Sequence, residues 1–75
     1  MKYKSDAYIT GPFWVGIETV LLKLSIYYNV KMTITKRTGW ISKTYFFTIE
    51  SDNDKLIELF KNKLKDIIMD FTNDD

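Results

Sequence analysis

Residues 30–50, VKMTITKRTGWISKTYFFTIE, alternate apolar and polar side chains with a period of two on both sides of one Thr-Gly step. Such a segment folds as two antiparallel strands joined by a tight turn, and it commits the rest of a short chain to packing on one face of a sheet. With Thr38-Gly39 as a two-residue turn, Arg37 stands opposite Trp40, Thr35 opposite Ser42, Thr33 opposite Thr44 and Lys31 opposite Phe46. The other face pairs Ile34 with Lys43, Met32 with Tyr45 and Val30 with Phe47. A three-residue loop would set core positions of one strand against polar positions of the other, so alternation and turn length support one register. Thr38 strains it, because a β-branched residue resists the positive φ of a primed turn; a four-residue loop from Arg37 to Trp40 keeps the pairing without that demand.

The flanking segments supply what covers the sheet. Residues 3–10, YKSDAYIT, set Tyr3, Ser5, Ala7 and Ile9 on one face and Lys4, Asp6, Tyr8 and Thr10 on the other, which predicts a first strand. Gly11-Pro12 punctuates, and proline suits a first helical position because its missing N–H would lack an intrahelical partner anyway. The spacing then predicts a helix over 12–28, with Phe13, Ile17, Val20, Leu21, Leu24 and Tyr28 as its core stripe and Asn29 at its end. Ser51 and Asp54 stand at capping-box spacing before a last helix whose stripe is Leu56, Phe60, Leu64, Ile67 and Phe71, with a disordered polar tail over 72–75. The order β-α-β-β-α predicts an α+β fold: three strands in spatial order 1-3-2 with both helices on one face, burying Ile9, Ile34, Tyr45, Phe47 and Ile49. A right-handed crossover through the first helix is expected to lay strand one parallel beside strand three. In architecture alone this is a ferredoxin-like arrangement without its fourth strand.

Seventy-five residues form one domain with one core, since so short a chain buries only about 60% of its unfolded surface. With no cysteine and no histidine, the chain has no disulfide, thiolate or His-ligated metal site, thiol nucleophile or imidazole base. The charged start MKYKSDAY has no apolar stretch of a secretory signal, which makes the cytoplasm the expected location. The net charge of +1 hides a split: residues 1–49 carry seven basic side chains against two acids, and residues 50–75 carry eight acids against four lysines. No run reaches the five or six like charges of an interaction tail, so a solvated last helix accounts for the split better than a dedicated binding surface.

Catalysis finds little support. Asp52-Asn53-Asp54 lacks the glycine and distal glutamate of a calcium loop and reads as helix capping. Asp6 and Glu18, the only acids before residue 50, have no base, nucleophile or phosphate loop beside them. Gly11 to Gly16 lacks the third glycine of a dinucleotide loop. No cofactor, metal or small-molecule substrate is expected.

Two surfaces carry more than a solvated face needs. The first helix holds Trp14, Leu22 and Ile26 beyond its core stripe, near helical spacing, which predicts a contact surface for a protein partner or a second copy. The run is barely long enough for a bilayer span and holds two charges, Glu18 and Lys23, which argues against a span; lying on a membrane is weakly supported, because an interfacial helix normally carries more lysine and arginine. The open sheet face gathers Lys4, Tyr8, Lys31, Arg37, Trp40 and Phe46, a mixture of rings and cations that suits single-stranded nucleic acid. The glycine-rich signature of RNA-binding sheets is absent, and Lys31 beside Phe46 is equally a cross-strand cation–π pair. The expected function is therefore a non-catalytic protein-interaction module, a regulator or inhibitor that occludes a partner or pairs with itself, with nucleic-acid binding as the alternative. Strand one, an edge guarded by Lys2, Lys4 and Asp6, offers a second route to self-pairing.

Overall fold

The computed structural model describes residues 2–72. The chain runs β1 (Tyr3–Pro12), a 3₁₀ turn (Phe13–Val15), α1 (Ile17–Tyr28), β2 (Lys31–Thr38), β3 (Ser42–Ser51) and α2 (Asp54–Thr72). It has the expected α+β architecture, a three-stranded sheet in the order β1-β3-β2. β1, however, is antiparallel to β3, not parallel to it. The crossover through α1 makes β1 parallel to β2, and β3, reversed by the hairpin, inserts between them. Thr72 still belongs to α2, and the rest of the expected tail, residues 73–75, lies outside the described residues.

The hairpin register differs from the sequence expectation. Lys31 pairs with Glu50, Met32 with Ile49, Thr33 with Thr48 and Ile34 with Phe47; a bulge between Ile34 and Lys36 then sets Lys36 opposite Phe46, Arg37 opposite Tyr45 and Thr38 opposite Thr44. Apolar complementarity explains the slip. The expected register puts Ile34 against Lys43, whereas the observed one gives Ile34 and Met32 the apolar partners Phe47 and Ile49. Proton contacts between Thr33 and Thr48 in an NMR spectrum, with none between Thr33 and Thr44, are expected; the reverse pattern would restore the shorter turn.

The predicted helix over 12–28 is broken near its start. Pro12 remains in β1, opposite Ser42, and Gly16 adopts φ 70° and ψ 49°, left-handed values that end the 3₁₀ turn and start α1 anew. Val15 is thereby buried and Phe13, expected in the core, is exposed. Ile17, Leu21 and Leu24 form the buried stripe of α1. The helix closes at Asn29, also left-handed, whose N–H donates to the Ile26 carbonyl while Val30 N–H donates to that of Ser25. This closure satisfies the last carbonyls and delivers buried Val30 to the start of β2.

Of the cap candidates in 51–54, Asn53 takes the role at α2: its Oδ1 accepts from Lys55 N–H at 3.0 Å, and Ser51 Oγ accepts from Asn53 N–H at 3.1 Å. The helix is turned so that Ile57, Phe60, Leu64 and Ile68 are its buried positions, with Leu56 and Ile67 on the margins; the Phe71 side chain lies outside the described residues. These side chains meet Tyr45, Phe47 and Ile49 of β3, with Ile9 and Ile34 partly buried around them. Phe47 and Phe60 stand 6.1 Å apart between ring centroids, and Tyr28 meets Phe60 edge-on at 6.5 Å. Burial of each such side chain stabilises the fold by about 1.5–3 kcal/mol.

Candidate functional site

Two loops meet at one end of the sheet. The pairing of β1 with β3 continues past Pro12, so that Phe13 N–H donates to the Ile41 carbonyl at 3.0 Å and ties the 3₁₀ turn to the hairpin loop. Gly16 turns Val15 inward and leaves the preceding rings outside; Gly39, at φ 83°, turns the hairpin so that Trp40 and Ile41 project from it. Phe13, Trp14, Trp40 and Ile41 are 59%, 60%, 82% and 68% exposed. Neither residues 11–16 nor residues 38–42 contain a charge, so nothing in either loop draws these side chains toward water. Four large exposed apolar side chains, two of them tryptophans, thus stand on two loops joined by a backbone hydrogen bond.

This arrangement redraws the expected helix patch. Trp14 lies in the 3₁₀ turn, on the far side of Gly16 from α1, and so is not part of that helix. Leu22 and Ile26 do lie on the outer side of α1, one turn apart, and Tyr27 is exposed beside Ile26. The sequence reading missed Phe13, assigned to the core, and Ile41, which it left unmarked. The glycines at 16 and 39 were the available signal.

No protein-family model, curated protein or solved structure matches this chain. Among the described residues no helix is long and apolar enough to cross a membrane, and no group of three or more His, Cys, Asp or Glu side chains is placed to hold a metal ion.

The open sheet face is less basic than expected. The bulge at Thr35 turns Arg37 to the helix side, where its Nε donates to Glu18 Oε1 of α1 at 2.7 Å; that hydrogen bond, reinforced by the carboxylate charge, holds the guanidinium pKa above its ordinary value. Lys31 is not opposite Phe46 but beside Glu50, with 4.0 Å between Nζ and Oε2. Trp40 has left the sheet for the loop. Lys36, which the expected register placed on the other face, lies over the Phe46 ring at 5.9 Å, and Tyr8 flanks the same ring at 5.8 Å. The result is one row, Tyr8–Phe46–Lys36, across the middle of the face. Its cation–π contact is worth about 0.5–1 kcal/mol. Asp6 accepts from the Thr48 hydroxyl at 2.8 Å in the adjoining row, and Lys4 lies beyond it, opposite Glu50. Lys4, Lys31 and Lys36 thus share the face with Asp6 and Glu50, a near-cancelling set that supports hydrogen bonding within the sheet more than phosphate binding.

Proposed function

We propose that the chain is a non-catalytic protein-binding module that covers a partner's surface with its aromatic end, as a regulator or inhibitor does. The observation that carries this reading is the exposed cluster Phe13, Trp14, Trp40 and Ile41, held on two loops by the Phe13–Ile41 backbone bond. Tryptophan dominates the energetics of many interfaces because it buries a large rigid surface at small entropic cost, and occlusion needs area and shape but no reactive group. Leu22, Ile26 and Tyr27 of α1 extend the apolar surface available to such a partner. A cytoplasmic setting fits a chain without cysteine.

The second reading, single-stranded nucleic acid on the open face, draws support from the Tyr8–Phe46–Lys36 row. It is the weaker one, because Lys31 and Arg37 already stand beside carboxylates.

Affinity purification from the native cell separates these readings. A protein captured by the wild type is expected to be lost from Trp14→Ser/Trp40→Ser while Tyr8→Ser/Phe46→Ser still retains it. Truncating two buried interface aromatics reduces affinity by at least about 2 kcal/mol, or thirtyfold. Capture of nucleic acid alone, abolished in Tyr8→Ser/Phe46→Ser, would transfer the function to the sheet face. Sedimentation showing a dimer of the wild type that dissociates in Trp14→Ser/Trp40→Ser would make the partner a second copy.

A further inference from the structure

We propose that the outer edge of β1 is a docking site for an extended acidic segment of a partner protein, which adds to the sheet as a fourth strand. This surface is separate from the aromatic end and does not rest on it.

The register identifies the backbone groups on offer. Phe13 N–H bonds the Ile41 carbonyl one step beyond the Pro12–Ser42 pair, which places the odd-numbered residues of β1 in hydrogen-bonded pairs with β3. The N–H and C=O groups of the alternate residues Lys4, Asp6, Tyr8 and Thr10 consequently point away from β3, and the order β1-β3-β2 places no described strand beyond them. Alongside this edge α2 leaves an open groove of about 390 Å³, lined by residues 7–10 of β1, Phe47 of β3, and Lys61, Leu64 and Lys65 of α2. An edge ladder and an adjacent groove are the two components of strand addition: the ladder supplies affinity and the groove reads alternate side chains.

The groove also specifies the chemistry of its occupant. Side chains of an added strand opposite Ala7 and Ile9 face α2, where the groove offers the half-buried Ala7 and Ile9 and the side chains of Lys61 and Lys65. No carboxylate lines the groove. Lys61 donates to Ser5 Oγ, which holds its side chain toward β1. Carboxylates at alternate positions of the incoming segment complement both lysines. A second copy of β1 paired about a twofold axis would instead bring Lys61 and Lys65 of each copy toward their twins, a like-charge arrangement that opposes self-pairing. The groove follows Ala7 to Thr10, so the segment needs about four to six residues at about 3.3 Å each.

The probes are a capped Thr-Glu-Val-Glu-Thr-Glu peptide and its counterpart with lysine for glutamate, titrated into isotopically labelled full-length protein. The glutamate peptide is expected to bind about tenfold or more tightly than the lysine peptide, with the largest amide shifts at Tyr8 and Thr10. Lys61→Glu/Lys65→Glu should reverse the preference. Thr10→Pro should reduce binding about tenfold while the β3 amides retain their native shifts, since proline is tolerated on an edge strand where the N–H faces outward. Equal binding of both peptides, shifts confined to the Trp14 and Trp40 loops, or no saturation by millimolar peptide would overturn the proposal. So would dimerisation of the free protein that protects the Tyr8 and Thr10 amides, which would assign the edge to a second copy. None of these outcomes depends on whether the aromatic end binds a partner.

Discussion

Phe47→Ala is expected to leave the chain largely unfolded at 25 °C. Phe47 is 2% exposed in the middle of the central strand, flanked by Ala7 on β1 and Ile34 on β2, and its ring packs against Phe60 of α2. Truncation removes both the transfer free energy of the ring and its contacts, about 3–5 kcal/mol together. At about 0.05–0.15 kcal/mol per residue the whole domain has about 4–11 kcal/mol, and a core this small with no disulfide belongs at the low end, about 3–5 kcal/mol. Urea titration followed by far-ultraviolet circular dichroism measures the loss. The neighbouring Phe46→Ala, on the opposite and open face, is the control; it loses its contacts with Tyr8 and Lys36, about 1 kcal/mol. If Phe47→Ala retained a cooperative transition within about 1 kcal/mol of wild type, the core would be centred elsewhere.

Gly39→Val is expected to lower the melting temperature by about 12 °C or more, from a loss of about 3 kcal/mol. Gly39 has φ 83°, and a Cβ placed there would lie 2.1 Å from the Ser42 carbonyl oxygen, a backbone atom that cannot swing aside. The loop must rearrange, adding to the strain of about 1–3 kcal/mol that a β-branched residue at positive φ carries alone. Trp40 and Ile41 move with it, so binding at the aromatic end should fall in the same variant even where the fold survives. Gly16→Ala is the comparison: its φ is 70°, but nothing lies within 4 Å of the new Cβ, and only the backbone term of about 1 kcal/mol remains. A Gly39→Val protein melting within about 3 °C of wild type would contradict this loop conformation.

The hairpin, the last helix and the face of β3 that enters the core were legible because each rests on strong periodicity, and the weaker alternation of residues 3–10 sufficed for the first strand. Tyr45, Phe47 and Ile49 alternate without interruption, and so do Val30, Met32 and Ile34. Register was harder. A slip of an even number of residues keeps every side chain on its own face, so alternation alone accepts several registers, and apolar pairing decides among them. The bulge left no such trace. From Thr35 to Thr38 every side chain is polar, and either face accommodates them in water. That is why Arg37 was expected on the open face and Lys36 on the other. The broken first helix has a similar origin: Phe13 falls on the helical stripe by count, but the count assumes that Gly16 continues the helix, which its left-handed conformation forbids. The two segments misread in this way, the turn before α1 and the loop after β2, are those that form the aromatic end.

Placing β3 between the other two strands separates their routes to the folded state. Thr35 reaches Phe46 across only 11 positions of chain, whereas Thr10 must find Thr44 across 34 and Asp6 must find Thr48 across 42. The entropy lost on closing a loop rises with its length, so the hairpin is a local event and the docking of β1 a distant one. A β2–β3 hairpin formed ahead of β1 presents its central strand with one side still unpaired. During that interval β3 is itself a sheet edge, and the chain's own β1 competes for it with any extended segment of another molecule. Order in the sheet therefore sets when in its life the molecule is most exposed to mispairing, before the closing of its longest loops.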